Sequence, residues 1–257
     1  TSFISSIGNG EAIAFGEAIA VPMRMKFSRV DQARLPKANG LTVKSSDGRP
    51  TKIEGNSLLS LFETAPLPLS ALIETAARMA EAVAAARYEH PGPTSVTLYT
   101  VLSTRSGAGA HAGLLINGSQ RVLFDPAGTW RHPRLPERND VHFGITPKMV
   151  DFYIDYHARE TYDVVEQTIE VSPEVAALIM QRAMAYGAVP KANCTIALSR
   201  VLEGVPGFES LPMTWFPKRM MEAFADLPGV ETRKITDDDA DNNHGVLLVQ
   251  ADDPRLE

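Results

Sequence analysis

Three residues of this 257-residue chain have the types and positions that acyl-transfer chemistry needs: Cys194, His111 and Asp125. Cys194 is the only cysteine. It opens "CTIALSRVLEG" (194–204), which follows Pro190, Lys191, Ala192 and Asn193 and reads as a short helix ending at Gly204. A thiol at a helix N-terminus feels the positive end of the helix dipole, which favours the thiolate. The unpaired N–H groups of that first turn can receive a developing oxyanion, so Asn193 and Cys194 are the candidate oxyanion-side residues. His111 opens "HAGLLI" (111–116) and Asp125 closes "QRVLFD" (120–125). The "NGS" between these apolar runs is a hairpin signal. With the turn centred on Gly118 and Ser119, His111 lies opposite residue 126, one position from Asp125. A carboxylate beside an imidazole fixes its tautomer and stabilises its cation. Nucleophile, base and orienting carboxylate would then come from one helix and one hairpin. The plain alternative is packing, because free cysteine is among the most buried residue types. A strand histidine is often structural, and an aspartate before proline is often a turn former.

The elements that must position these residues are strands mixed with helices. "LSALIETAARMAEAVAAARYE" (69–89) has a helical apolar face, Ser70 as a cap and Glu74 as first-turn charge, and "HPGPT" ends it. "SVTLYTVLST" (95–104) and "YDVVEQTIEV" (162–171) are β-branched strands, with late strands at 230–235 and 245–250. Thr146-Pro147 and Ser172-Pro173 each start a helix, over 146–159 and 172–187, and another runs over 216–229. Residues 1–30 read as extended, a hairpin or two short strands, and 31–57 as a polar linker. Without a regular βαβ alternation the class is α+β, an antiparallel sheet packed against helices. The expected division is an N-terminal β extension and linker over 1–40 and a catalytic domain over 41–257.

Composition narrows the functional classes. The chain is 44% hydrophobic and 22% charged, the make-up of a globular protein with a sizeable core. A net charge of −6 argues against a general nucleic-acid surface. One cysteine excludes an internal disulfide framework and Cys-rich zinc sites, and no apolar run is long enough to span a bilayer. The start lacks the pattern of a signal peptide, so the expected compartment is cytoplasmic. "TDDDADNNH" (236–244) lacks the EF-hand spacing and reads as a solvated loop; no metal and no cofactor are expected. His142 is an alternative base, Trp130 and Trp215 read as core or cleft-wall residues, and Tyr153 and Tyr156 as packing. No amphipathic basic helix points to lipid docking.

"HAGLLI", then "VLFDPAG", then a helical region, then "NCTIALSRVL" resembles the circularly permuted branch of the papain-like fold. That branch holds permuted NlpC-type hydrolases, relatives of lecithin retinol acyltransferase and bacterial membrane-associated domains. The likeness covers about residues 95–227. It implies a thiol hydrolase or acyltransferase in which Cys194 is the nucleophile, His111 the base and Asp125 the third, polar position, with Asn193 shaping the helix start. The substrate would be a small-molecule, peptide or lipid acyl compound with an amide or ester bond. Residues 126–162 would be an insertion. "SSIGNGEAIAFGEAIAVPMRMKF" is similar to the C-terminal strand segment of HerA-type ATPases, although the chain carries no P-loop. This implies an alternative: a catalytically silent assembly module whose residues 1–30 dock on a partner such as a ring ATPase.

Overall fold

The computed structural model describes residues 69–241 continuously, the strands 11–16, 19–26, 41–44 and 50–53, and Gln250 and Asp253, with side chains placed from residue 74 onward. The chain divides into two compact units, residues 1–13 with 24–81 and residues 14–23 with 82–257. Strands β1 (Glu11–Gly16) and β2 (Ile19–Lys26) form a two-stranded sheet, as the N-terminal pattern suggests. Residues 1–10 and 27–40 fall outside the described residues.

The segment read as a linker contains structure. Strands β3 (Leu41–Lys44) and β4 (Pro50–Ile53) pair antiparallel from Leu41↔Ile53 to Lys44↔Pro50. Thr42, Val43, Thr51 and Ile53 are β-branched, and the intervening sequence carries an Asp-Gly turn signal; polarity alone concealed the pair. Helix α1 (Leu69–Ala85) starts one residue before Ser70 and has no acidic residue in its first turn, so neither Ser70 nor Glu74 takes its expected place.

The second unit is an antiparallel sheet with helices on both faces, an α+β arrangement. Its strands are β5 (Ser95–Ser103), β6 (Gly109–Asn117), β7 (Arg121–Phe124), β8 (Glu137–Arg138), β9 (Val141–Phe143), β10 (Tyr162–Glu170) and β11 (Glu231–Ile235). They lie in the order β11-β10-β5-β6-β7-β9-β8. The helices are α2 (Pro147–His157), α3 (Pro173–Tyr186), α4 (Cys194–Leu202) and α5 (Pro217–Ala225). Alternation along each strand sends its side chains to two cores. Leu98, Leu114, Ile116 and Phe124 meet Ile179 of α3, Leu198 of α4 and Phe224 of α5. Tyr99, Leu115 and Leu123 meet Phe152 and Tyr153 of α2. Thr146 and Ser172 cap α2 and α3, accepting from the N–H groups of Met149 and Val175, with proline at the first helical position of each.

The β6–β7 hairpin differs from its expected register by one residue. Its loop holds three residues, with the Gly118 N–H bonded to the Gln120 carbonyl (3.1 Å), so Asn117 faces Arg121 and Leu115 faces Leu123. A one-residue shift swaps faces. The observed register puts His111, Gly113, Leu123 and Asp125 on one side of the sheet, whereas the expected one would have split His111 from Asp125. Residues 126–162 are not a peripheral addition: β9 extends the sheet beside β7, and α2 covers one of its faces.

The acidic loop is exposed as read, and one tryptophan lies outside the core. The acidic run is tied down, with Asp239 on buried Arg159 (3.1 Å) and Asp241 accepting from Thr161 Oγ1 (2.6 Å). Trp130 is buried as expected, but Trp215 is 56% exposed, because its neighbour Thr214, rather than the indole, fills the interior position. The strand expected at 245–250 lies outside the described residues except for buried Gln250, which donates to Asp155 (2.8 Å) and the Phe152 carbonyl (2.9 Å).

Candidate active site

Cys194 is the first residue of α4 and is 6% exposed. The loop before it is tightly wound. Ala192 takes a left-handed φ of 66°, and the Asn193 side-chain amide donates to the carbonyls of Pro190 (3.1 Å) and Lys191 (2.9 Å). Asn193 therefore shapes the turn and makes no side-chain cap. The first intrahelical bond runs from Ala197 N–H to the Asn193 carbonyl (3.1 Å), so the amides of Cys194, Thr195 and Ile196 precede the ladder. Asp140 clamps this loop to the one after Asp125: its Oδ2 accepts from Val189 N–H (2.7 Å) and Ala127 N–H (3.3 Å).

The imidazole sits between carboxylate and thiol. His111 Nε2 donates to Asp125 Oδ1 at 2.6 Å, which leaves Nδ1 for the sulfur. The His111 side chain keeps 16% of its surface and Asp125 none, so the base is reachable while the orienting group is sealed. Burial opposes charge on His111, but the Asp125 carboxylate outweighs it, helped by Cys194, and raises the imidazole to about 10. Burial likewise opposes ionisation of Asp125, and the His111 charge overrides it, holding the carboxyl well below its ordinary range. For Cys194 burial pushes the thiol up. The hydrogen bond and charge of His111, the Thr195 hydroxyl (3.7 Å) and the Ala112 backbone N–H together bring it below its ordinary value. An imidazolium beside a lowered thiol is the pairing of a reactive cysteine.

No family model, no curated protein and no solved structure matches the chain.

The site geometry gives Tyr153, read as packing, and His157 places beside the triad. Tyr153 of α2 donates its hydroxyl to the same Asp125 oxygen at 2.8 Å; burial, then the nearby carboxylate, keeps the phenol protonated. One turn later, His157 lies within 8° of parallel to His111, with ring centroids 5.5 Å apart. Its Nδ1–H donates to the Tyr153 carbonyl (2.8 Å), and burial lowers its pKa to about 4, so it is a neutral neighbour of a charged ring. The signal for this pair was the i, i+4 spacing of Tyr153 and His157 on one helix face. Donor atoms of His111, Asp125 and His157 lie within 4.8 Å of one another, the set that a divalent ion would use here. His142, the alternative base, lies tilted against Trp130, with ring centroids 5.1 Å apart, and is lowered to about 4 by burial.

A cleft of about 440 Å³ opens beside Asp125, walled by Trp130, Tyr156 and Val189 and rimmed by Lys191. A larger one of about 540 Å³, over the far part of the sheet at Arg121, holds none of the three residues.

Two glycines make room for this arrangement: at Gly128 a Cβ would overlap the Asp125 carboxylate, and the second is Gly113. A Cβ there would collide with the Tyr153 hydroxyl and stand 3.2 Å from Asp125 Oδ1. Gly113→Ala is therefore expected to cost about 1–3 kcal/mol of stability through overpacking. It should also displace Tyr153, so the urea midpoint falls and Cys194 alkylates at higher pH. An unchanged midpoint and alkylation profile would refute the tight fit.

Proposed function

We propose that this chain is a cysteine-dependent acyl-transfer enzyme, a hydrolase or acyltransferase that opens an amide or ester bond through a thioester on Cys194. The observation that carries the reading is the 2.6 Å contact of His111 Nε2 with buried Asp125, with the thiol lowered by the same imidazole. A permuted papain-like fold suits this reading: the histidine strand comes first, the carboxylate follows it, and the cysteine helix arrives later and packs on that antiparallel sheet.

In the reaction, His111 holds the thiol proton on Nδ1 and the thiolate attacks the substrate carbonyl carbon. The oxyanion is received by the Cys194 backbone N–H at the head of α4. Asn193 serves here only to shape the turn, since its side-chain amide is spent on Pro190 and Lys191. As the tetrahedral intermediate collapses, His111 gives its proton to the leaving amine or alkoxide and the thioester remains. Water or an acceptor nucleophile, deprotonated by His111, then attacks the thioester and frees the acyl product. Asp125, held by Tyr153, stabilises the imidazolium throughout.

The test is the pH dependence of iodoacetamide alkylation of Cys194, in the native chain and in His111→Ala. A titration midpoint below the ordinary thiol value of about 8.5, rising towards it in the variant, supports an activated pair. A thiol that reacts only after unfolding overturns the reading and leaves the silent assembly module in its place.

A further inference from the structure

Met213, Trp215 and Phe216 keep 48%, 56% and 68% of their surfaces, and with Tyr162 they are the exposed large apolar side chains among the described residues. Single exposed apolar residues are ordinary, but three within four positions are not. The segment that displays them is firmly held. Thr214, between Met213 and Trp215, is buried; its N–H donates to Ser199 Oγ of α4 (3.2 Å), and its own Oγ1 accepts from the Phe216 N–H (3.1 Å). Buried Pro217 then starts α5, and exposed Lys218 and Arg219 come after it.

The display stands near the candidate site. Ser199 is about 7.5 Å along α4 from Cys194 at a helical rise of 1.5 Å per residue. On the sheet side Gly109, two residues before His111, has no room for a Cβ because the Lys218 backbone lies against it.

We propose that residues 213–219 form a peripheral docking surface for an anionic lipid bilayer. Tryptophan and phenylalanine settle at the boundary between headgroups and acyl chains, and adjacent lysine and arginine meet the lipid phosphates. The charge pattern selects this occupant. A chain of net charge −6 is repelled by an anionic surface unless cations adjoin the inserting residues, and Lys218 and Arg219 do. A second copy fits poorly, since a two-fold contact centred here would set one Lys218–Arg219 pair against another. Protein partners in general are disfavoured less strongly, by the depletion of lysine in interface cores. No helix among the described residues is long and apolar enough to cross a membrane, so the contact is superficial. The proposal does not depend on the thiol chemistry.

The chain has two tryptophans, and Trp130 is 2% exposed, so Trp215 supplies the environment-sensitive emission. The full chain would be titrated with vesicles of phosphatidylcholine alone and of phosphatidylcholine mixed with phosphatidylglycerol, reading tryptophan emission and co-sedimentation. Anionic vesicles should shift the emission to the blue and sediment the protein. Binding should weaken at least about tenfold on neutral vesicles and in Lys218→Ala/Arg219→Ala, and also with added salt. Trp215→Ala/Phe216→Ala should abolish co-sedimentation while leaving the circular dichroism unchanged. An emission indifferent to every vesicle overturns the proposal, as does equal binding by the charge variant. A blue shift that grows with protein concentration without lipid gives the surface to a second copy, and blue emission from the dilute free chain gives it to another part of the same chain; either result overturns the bilayer.

Discussion

Asp125→Asn is expected to silence the thiol while leaving the fold in place. Asparagine keeps an acceptor oxygen for His111 Nε2–H and for the Tyr153 hydroxyl, so both hydrogen bonds survive in form. What disappears is the charge. In the native chain the Asp125 carboxylate overcomes the burial that opposes the imidazolium and lifts His111 to about 10. With a neutral partner burial prevails, the ring is neutral at pH 7, and Cys194 faces no cation. Burial is the largest influence on that thiol and now acts unopposed by charge. Alkylation of Cys194 near pH 6–7 should fall about 10- to 100-fold, an effect softened because a more basic thiolate is also more nucleophilic. Stability should drop by about 1–3 kcal/mol, the difference between charged and neutral hydrogen bonds. Stopped-flow alkylation against pH and a urea titration read both effects. A variant with the native alkylation profile would mean that Asp125 does not govern the imidazole, and the triad would lose its third member.

The second large effect is acid instability, and it runs opposite to the contribution of His111. His142 and His157 are buried and lowered from 6.5 to about 4. A histidine whose folded pKa is depressed contributes stability above its unfolded pKa and loses it as pH falls, because the unfolded chain takes the proton first. The window is therefore from about pH 6.5 down to about pH 4, with a loss on the order of 3 kcal/mol per histidine. His111 is raised, so its contribution is complete below 6.5 and fades as pH climbs towards 10. The two trends together place maximal stability near neutrality. Urea denaturation at pH 7, 5.5 and 4.5 should show the acid limb, and His142→Phe or His157→Phe should remove roughly one proton from its slope. A stability flat between pH 7 and 4.5, or a slope unchanged in both variants, would show that neither histidine is held neutral by the fold.

How much of this was legible in the sequence depended on the range of the interactions involved. Thr146-Pro147 and Ser172-Pro173 announced their helices because capping is settled within four residues. The hairpin was visible in Asn-Gly-Ser, yet its register was not, since a two-residue and a three-residue loop differ only by whether Gln120 joins the strand. Cys194, His111 and Asp125 were nameable because their chemistry is rare in such positions. Tyr153 and His157 were not, because a tyrosine and a histidine on an amphipathic helix read as packing until that helix is docked over Asp125. Asp140 was hidden for a similar reason: its ties to Ala127 and Val189 join loops distant in sequence. Of the two places read for Trp215, the core goes to Thr214 instead, for apolar bulk says nothing of which neighbour takes the interior position.

The two halves of the site are separated by very different lengths of chain, and this sets the order in which they come together. His111 and Asp125 are 14 residues apart on one hairpin, a unit that closes in about 1–10 μs. The far end of the sheet joins Thr94 to Val171, 77 residues apart, and α4 lies beyond that closure. Non-local pairings of this kind form late, because the entropy of closing the loop is lost before any contact repays it. Imidazole and carboxylate therefore meet while the sulfur is still on an undocked segment with an ordinary, sluggish thiol. A nascent or partly unfolded chain holds no armed nucleophile, and reactivity towards electrophiles becomes a readout of completed folding.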